Sequence, residues 1–435
     1  LWDSLAGVLR RVMGLFRGDP SAILGLGLCS IRCCRAFMRA DGTLAAPVMS
    51  WMDVRAYETF EDHPDIAYTC SPTGYLTHRL TGEFRDSAAN AYPGQFPVDT
   101  DTWAWTTDPQ QLGAFRIPGA KLLEILLPGA VLGRVTAGAA AATGLPIGLP
   151  VVATANDKAV EALGAGLVEP SVGLVSLGTY SASMVYGAEN RTGATHFFTN
   201  MACVPHHYLY EAGGIRLGMG HITWLKSIIG DEYAAKARAD GLSTEEALGL
   251  EAAAVPAGSD GLLTIPDWLA PASQLHRKGV MIGFHDHHTR GHIHRSMLEG
   301  IAMTLMNSFD DMNRELGIRP DTIIVSGGGA GSDLLMGILA DVSGVQTTRN
   351  EVTGAAGMGA AICAAVAAGV HPDAAAAAAR MVRRRDVFQP DPGNHRVYAR
   401  INDEAYRRLG SLLEPALQAV RRAGGEDHED AAAAV

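Results

Sequence analysis

The sequence predicts an α/β protein of two domains, and three observations lead to that prediction. A β-branched stretch, residues 322–325, runs into glycines at 327–329 and then into a helix with one apolar face. A second buried stretch, residues 151–154, is followed at once by a helix of small residues. Strands that run directly into helices in this way are typical of parallel sheets. With 435 residues, the chain is long enough for two buried cores.

Composition and charge narrow the class of partner. The formal net charge is −11 at pH 7, and 47% of the residues are hydrophobic. Nucleic acids and anionic membranes call for clustered Lys and Arg, so neither is an expected partner. The uncharged run at residues 352–370 is mostly Ala and Gly, which favours close packing in a core over a membrane span. We therefore expect a small-molecule substrate.

The cysteines predict the compartment. Six are present, at positions 29, 33, 34, 70, 203 and 363, and none forms a CxxC pair. This spacing indicates neither a disulfide framework nor a zinc ribbon, so we expect reduced thiols and a cytoplasmic protein. Residues 425–435 are acidic and Ala-rich, and we expect them to be a disordered tail.

The glycine turn at residues 326–332 is built to hold an anion. Backbone N–H groups and the positive end of the following helix point at one spot, and glycine lets a phosphate or ribose approach closely. No Gly-Lys-Ser/Thr follows, so the turn is not a P-loop, and Ser332 stands where a dinucleotide fingerprint has its third glycine. By itself the turn can equally be an ordinary strand-to-helix connection.

A second glycine turn and a carboxylate strengthen the case for a phosphate site. The strand predicted at residues 172–176 ends in Gly178 and Thr179, whose hydroxyl can bond a phosphate oxygen. Asp157 directly follows the strand at 151–154, and the carboxyl end of a parallel strand is where open α/β sheets bind ligands. Asp157 is therefore a candidate base.

Two further clusters each have two interpretations. Trp51, Asp53 and Arg55 can grip a polyol, but the spacing alone favours a surface ion pair beside a core tryptophan. A histidine run can in principle bind a metal. It lacks both an HExxH pattern and a cysteine partner, so we expect no metal site there. The run consists of His285, His287, His288, His292 and His294.

Periodicity places the main helices. Apolar positions predict an amphipathic helix at residues 1–16, a helix at 109–127 and a long core helix at 293–316. The Gly- and Ala-rich stretch 354–368 predicts a helix that packs very closely against its neighbour. A last charged helix is expected over roughly residues 397–422.

Several motifs, taken together and in order, resemble the FGGY family of carbohydrate kinases. Residues 156–166 resemble the segment that carries the family's catalytic aspartate, and residues 176–179 its second phosphate motif. Residues 326–341 resemble its adenosine motif, and Gly359-Ala360-Ala361 its closing helix. Trp51, Asp53 and Arg55 match the family's sugar-contacting W-x-D-x-R, which reverses the preference for a surface ion pair.

The resemblance implies an actin-like, ribonuclease H-type fold: two α/β domains with a cleft between them. Residues 1–167 would form the sugar-binding domain, without its first strands, and residues 168–424 the ATP-binding domain. Asp157 would act as general base, with ATP and Mg²⁺ as cofactors and a sugar or polyol as substrate. The implied ATP-binding residues are Gly178, Thr179, Gly327, Gly328, Gly329 and Ser332, and the implied substrate-binding residues are Trp51, Asp53, Arg55 and Asp157.

Departures from the family keep other functions open. The family opens with Asp-x-Gly-Thr-Thr, its first phosphate and magnesium loop, and this chain begins after that point, so we expect a fragment. A non-catalytic nucleotide or sugar binder is the main alternative. An actin- or chaperone-type ATPase is another, against which the W-x-D-x-R segment speaks. A homodimer is also an open alternative.

Overall fold

The computed structural model describes residues 1–270 and 274–424. The tail at 425–435 that the sequence predicts to be disordered lies outside the described residues. No helix in the described ranges is both long enough and apolar enough to cross a bilayer.

A small sheet of three strands organises the N-terminal part of the chain. Its order is β1-β9-β8, with β1 parallel to β9 in the register Leu26 to Val151, and β8 antiparallel to β9. The strands here are β1 (Leu26–Leu28), β2 (Ala36–Met38), β3 (Tyr68–Cys70), β4 (Arg85–Ser87), β5 (Val98–Asp99), β6 (Ala104–Trp105), β7 (Glu124–Leu126), β8 (Val131–Arg134) and β9 (Pro150–Ala153). The helices are α1 (Trp2–Leu15), α2 (Pro72–Thr81), α3 (Pro109–Phe115), α4 (Ala137–Thr143) and α5 (Asp157–Ala165).

A seven-stranded sheet organises the rest, in the order β12-β13-β11-β10-β16-β17-β18. The strands of this part of the chain, inside and outside that sheet, are β10 (Val172–Leu177), β11 (Ser181–Gly187), β12 (Phe197–Met201), β13 (Tyr208–Ala212), β14 (Leu263–Ile265), β15 (Val280–Ile282), β16 (Thr322–Ser326), β17 (Gln346–Asn350) and β18 (Arg384–Phe388). The helices are α6 (Gly220–Ile229), α7 (Asp231–Ala239), α8 (Thr244–Ala253), α9 (Arg290–Leu316), α10 (Asp333–Ser343), α11 (Ala355–Ala367), α12 (Ala374–Met381), α13 (Pro392–Ile401) and α14 (Arg407–Ala423).

The two predicted glycine turns lie side by side because their strands are neighbours. β10 and β16 are parallel, and their register pairs Ser176 with Ser326. Both strands are buried along their whole length, which their β-branched and leucine-rich sequences favour. Since parallel strands end at the same edge of a sheet, the turns after Leu177 and Ser326 meet there.

The turn after β16 requires glycine. Gly327 has φ of 85°, which L side chains rarely adopt, and a Cβ there would lie 2.6 Å from the carbonyl oxygen of Leu177. A Cβ on Gly329 would lie 2.7 Å from the Cβ of Leu177. The turn after β16 therefore lies directly against the backbone and the Cβ of Leu177.

Helices α5 and α11 pack backbone to backbone through a reciprocal pair of glycines. A Cβ on Gly164 would lie 1.8 Å from the oxygen of Ala355, and a Cβ on Gly359 would lie 1.9 Å from the oxygen of Val160. This confirms the close packing that the Gly- and Ala-rich stretch predicts. Because α5 begins at Asp157, the contact also fixes the helix that carries the candidate base.

Most predicted elements are confirmed, but two helices differ. The helix predicted at 109–127 is wrong beyond α3: Arg116 takes a left-handed φ of 52° and Pro118 follows, so the chain turns and then forms β7. Proline disfavours the continuation of a helix because it lacks the N–H and clashes with the preceding turn. The last predicted helix is two helices, α13 and α14, joined by a π-helical turn at Asn402–Tyr406. The domain boundary near residue 167 stays a prediction.

We predict that Gly359→Ala destabilises the protein. The new methyl group has no space between α5 and α11, and overpacking of this kind costs about 1–3 kcal/mol. With an unfolding entropy of about 2.1 cal/mol/K per residue, each kcal/mol lowers the melting temperature of a 435-residue chain by about 1 °C. Gly357→Ala is the matched control, because a Cβ there meets nothing within 4 Å. The control should melt at or slightly above the wild-type temperature, and equal melting of both variants would contradict the close contact.

Candidate active site

Asp157 is held in place from both sides of the strand-to-helix junction. It is the first residue of α5, directly after the Asn156 cap, whose side chain accepts a hydrogen bond from the N–H of Ala159 at 3.2 Å. The Asp157 N–H itself donates to the oxygen of Ser30 at 3.0 Å, in the segment that follows β1. The parallel pair β1 and β9 thus delivers both partners to one edge.

The Asp157 carboxyl is largely buried beside a cation. Its Oδ1 accepts the backbone N–H of Arg32 at 3.2 Å. Burial raises the pKa of the Asp157 carboxyl above its ordinary value, and the Arg32 guanidinium and Lys158 oppose that rise. A carboxylate with a raised pKa is a better proton acceptor than a fully solvated one.

A cavity of about 450 Å³ brings predicted residues from separate parts of the sequence together. Asp157, Gly178, Thr179 and Trp51 all line it. Its other lining residues are Ile31, Arg32, Cys33, Met52, Tyr57, Lys158, Glu161, Ser176 and Tyr180. The candidate base, one phosphate-type turn and the sugar-motif tryptophan therefore face a common space.

The other two residues of the sugar motif do not line this cavity. Arg55 donates to both carboxylate oxygens of Asp53, at 2.9 and 2.6 Å, and its own side chain is 68% exposed. Asp53 also accepts the Arg55 N–H and so caps the 3₁₀ helix Val54–Tyr57. Tyr57 at its end lines the cavity and donates to the oxygen of Trp51. In this geometry Asp53 shapes the segment that carries two cavity residues.

A buried polar network lies beneath the glycine turns. The ammonium of Lys158 donates to Glu161 at 3.0 Å and to the Oγ of Ser176 at 2.7 Å. One oxygen of Glu161 accepts from Ser176 at 2.7 Å and from Ser326 at 2.5 Å. Ser176 lies one residue before the end of β10 and Ser326 ends β16, so the network joins α5 to the ends of both strands.

A second cavity, of about 600 Å³, opens on the other side of the turns. The predicted residues Gly328, Gly329 and Ser332 line it. Ser332 caps α10 by accepting the N–H of Leu335 at 3.3 Å. Met219 lines the same cavity, and its N–H donates to the oxygen of Gly178 at 3.0 Å. The two cavities share no lining residue, and each is lined by one of the two neighbouring glycine turns.

An ion pair crosses from the N-terminal part to the large sheet. Arg32 donates to both oxygens of Glu211 on β13, at 2.7 and 2.6 Å, and the Glu211 side chain is fully buried. The sequence analysis assigned no role to either residue. Their positions differ by 179 residues, so no local pattern signals the pair. Lys158 and Glu161 had a detectable signal: two charges three residues apart in a helix that is otherwise small and apolar.

The histidine run divides into a helix cap and a buried residue. Ligand atoms of Asp260, His287 and His292 lie within 4.8 Å of one another. However, Nδ1 of His292 accepts the backbone N–H of Thr289 at 3.2 Å, so the neutral ring carries its proton on Nε2, which lies 3.2 Å from Asp260. His285, Asp286 and His287 form a second group of this kind. The expectation that the run holds no metal stays a prediction. His294, by contrast, is 5% exposed and lines the second cavity.

The cysteines near the candidate base are packing residues. All six cysteines lie in the described ranges and are free thiols. Burial raises the pKa of both Cys29 and Cys33 to about 11, so these thiols stay protonated at neutral pH.

Comparison with known proteins places the chain in a family. A model of the C-terminal domain of the FGGY family of carbohydrate kinases matches residues 173–368. The sugar kinase YgcE of Escherichia coli (strain K12) is 44% identical over 410 residues, which cover 94% of this chain and 83% of that protein. A xylulose kinase of Lactococcus lactis is 30% identical over 344 residues, covering 76% of this chain and 64% of that protein.

The fold comparison agrees. The crystal structure of xylulose kinase from Rhodospirillum rubrum has a TM-score of 0.80 and 26% identity, covering 96% of this chain and 90% of that one. This confirms the predicted two-domain, actin-like α/β fold. The predicted enzyme class, carbohydrate kinase, is confirmed as well, and the chain belongs to the FGGY family of carbohydrate kinases.

Proposed function

We propose that this protein transfers the γ-phosphoryl group of ATP to a hydroxyl of a sugar or polyol, with Asp157 as general base. The observation that carries the proposal is the common cavity: Asp157 faces Gly178 and Thr179 across a space of about 450 Å³. The adjoining cavity at Gly328, Gly329 and Ser332 is large enough for a nucleoside.

The turns suit a polyphosphate. A Cβ on Gly328 would meet nothing within 4 Å, and on Gly178 only the oxygen of Tyr180 at 3.6 Å, so both backbones are open to a close approach. In this proposal the phosphates lie along Gly178 and Thr179, with the nucleoside beyond the Gly327–Gly329 turn. Ser332 begins α10, whose N-terminus favours negative charge.

Mg²⁺ commonly binds one or two carboxylates together with substrate phosphates, and it would neutralise charge on the transferring group. In this proposal Asp157 accepts a proton and is not assigned to the metal, which would be held through the phosphates. Both oxygens of Glu161 are already hydrogen-bonded to Lys158, Ser176 and Ser326. The chain itself supplies the remaining chemistry through positioning, since phosphoryl transfer needs little covalent help.

The acceptor hydroxyl would lie between Asp157 and the Trp51 side of the cavity. Asp157 would take its proton as the phosphoryl group arrives. Trp51 offers an apolar face to a sugar ring, and the Arg216 guanidinium lies 5.8 Å from the centre of its ring. Direct sugar contact by Asp53 and Arg55 remains a proposal.

The test is ADP release with Mg-ATP across a panel of ketoses, aldoses and polyols that begins with xylulose, the sugar in the names of two of the similar kinases. Sugar-dependent release supports the proposal. Nucleotide binding without release for any panel member would favour the non-catalytic binder, and release without sugar would favour an ATPase.

We predict that Asp157→Asn lowers the turnover number by about 100-fold to 10,000-fold, the usual contribution of a general base. The amide keeps the shape but cannot accept the proton. Nucleotide affinity, measured by calorimetry, should change little. Asp65→Asn, at an exposed carboxylate, is the control and should turn over normally. Near-normal turnover by Asp157→Asn would remove Asp157 from this role.

We predict an acid limb in the pH profile that Arg32 controls. Asp157 must be ionised to act, so activity falls as the pH drops through its raised pKa, above the ordinary value of 3.8. Arg32→Met removes the charge that opposes the rise, so the limb should move to higher pH. Glu211→Gln breaks the same ion pair but keeps the guanidinium, so it should not move the limb upward. Equal shifts in both variants would show that loss of the ion pair, not the charge, is responsible.

We predict that the Lys158 and Glu161 pair positions the base. Lys158→Met leaves the Glu161 carboxylate without its cation and should lower both melting temperature and turnover, since breaking a buried pair costs about 3–5 kcal/mol. The double variant with Glu161→Gln should regain melting temperature, because the two sites are coupled. Its turnover should stay low, because α5 loses its ionic link to the turns. Recovery of turnover in the double variant would contradict a positioning role.

A further inference from the structure

His294 lies where a nucleoside would lie under the proposed function. It is in the second turn of α9 and lines the cavity of about 600 Å³ together with Leu298, one turn further along the helix. Gly328 and Gly329 line the same cavity. The imidazole is therefore a buried polar group facing the same space as the glycine turn.

His294 has no partner among the described residues. Its Nδ1 is enclosed and makes no hydrogen bond, and its Nε2 makes none in the described part of the chain. Buried polar side-chain atoms are hydrogen-bonded in the large majority of cases, so an unpartnered imidazole at 5% exposure needs a reason.

The other polar side chains that line this cavity are already engaged. Glu245 pairs with Lys226, and Glu246 accepts the backbone N–H of Ser243 at 2.7 Å. Ser332 caps α10, and Asp333 pairs with Arg349 at 2.7 Å. Within the described ranges, His294 is thus the polar lining side chain that makes no hydrogen bond or ion pair.

The ring is neutral near pH 7. Burial lowers the pKa of His294 to about 4, although the carboxylates of Glu245 and Glu251 oppose the shift. A neutral imidazole has one donor and one acceptor nitrogen and suits an uncharged polar partner. The edge of a purine is such a partner, and the apolar side chains of Ile222 and Leu334 in the cavity suit its faces.

We propose that His294 hydrogen-bonds the base edge of a purine nucleoside triphosphate in this cavity, through Nε2, and so sets the preference among nucleotides. The proposal rests on the proposed function, because it requires the phosphoryl donor to lie here. His294 is a specificity residue in this role and takes no part in proton transfer.

The experiment measures nucleotide affinity by calorimetry in the full chain. The probes are ATP, 7-deaza-ATP, 1-deaza-ATP and the triphosphate of purine riboside, which lack base N7, N1 and the 6-amino group respectively. Wild type should bind one of these analogues about threefold to tenfold more weakly than ATP, the usual net value of one hydrogen bond. His294→Leu should bind ATP weaker by a similar factor and should no longer distinguish that analogue.

Two companion variants separate recognition from folding. His294→Gln can place a polar atom near the position of Nε2 and should restore part of the discrimination. His371→Leu changes a half-buried histidine outside both cavities and should behave as wild type. Without nucleotide, His294→Leu should melt at or above the wild-type temperature, since it removes an unpartnered polar group. ATP should then raise its melting temperature less.

The outcomes separate this inference from the proposed function. Unchanged ATP affinity in His294→Leu, or unchanged discrimination among the analogues, overturns the inference while the kinase proposal stands. Wild type that binds no purine nucleotide overturns both. A His294→Leu variant that melts well below wild type without nucleotide, while keeping full discrimination, would show a packing role instead.

Discussion

The arrangement of the site depends on the hydrogen bonds and the ion pair that the Glu161 carboxylate makes. It accepts hydrogen bonds from Ser176, the second-last residue of β10, and from Ser326, the last residue of β16, and it pairs with Lys158 on its own helix. Helix α5 and both strands are therefore fixed to one charge. A buried carboxylate without such partners would carry a large desolvation cost, so the network holds only while all its members are present. This links the position of Asp157, at the start of the same helix, to the position of both glycine turns.

Glycine allows the turn after β16 to lie close to the end of β10. The glycines at 327 and 329 lie against Leu177, the last residue of β10. A Cβ on Gly327 would meet the Leu177 backbone, and a Cβ on Gly329 would meet the Leu177 side chain and the sulfur of Met219. Helices α5 and α11 likewise pack closely through Gly164 and Gly359. The helix that carries the candidate base therefore lies against a helix of the C-terminal part.

Sequence predicts those parts of the site whose signal is local. Asp157, Gly178 and the 327–329 turn each follow a buried strand, and the fold class that those patterns indicate is confirmed. The helix expected to continue past residue 116 failed because Pro118 outweighs apolar periodicity. The bond between Arg32 and Glu211 could not be predicted, since only the tertiary fold brings them together. His294 was predicted only as one of a run. Its isolation from that run follows from the helical geometry of α9, which turns it inward.

The charges of the first cavity constrain how it can receive a polyphosphate. Its two lining cations are already committed: Arg32 to Glu211, and Lys158 to Glu161. Neither can move to a phosphate without leaving a buried carboxylate unpaired, which is costly. Under the proposed function, favourable interactions with a phosphate would therefore come mainly from backbone N–H groups of the glycine turns and from a bound cation. Such donors are fixed in place before the ligand arrives and need no reorganisation when charge develops. Lysine and arginine in this cavity thus act by holding the carboxylates and the turns in position.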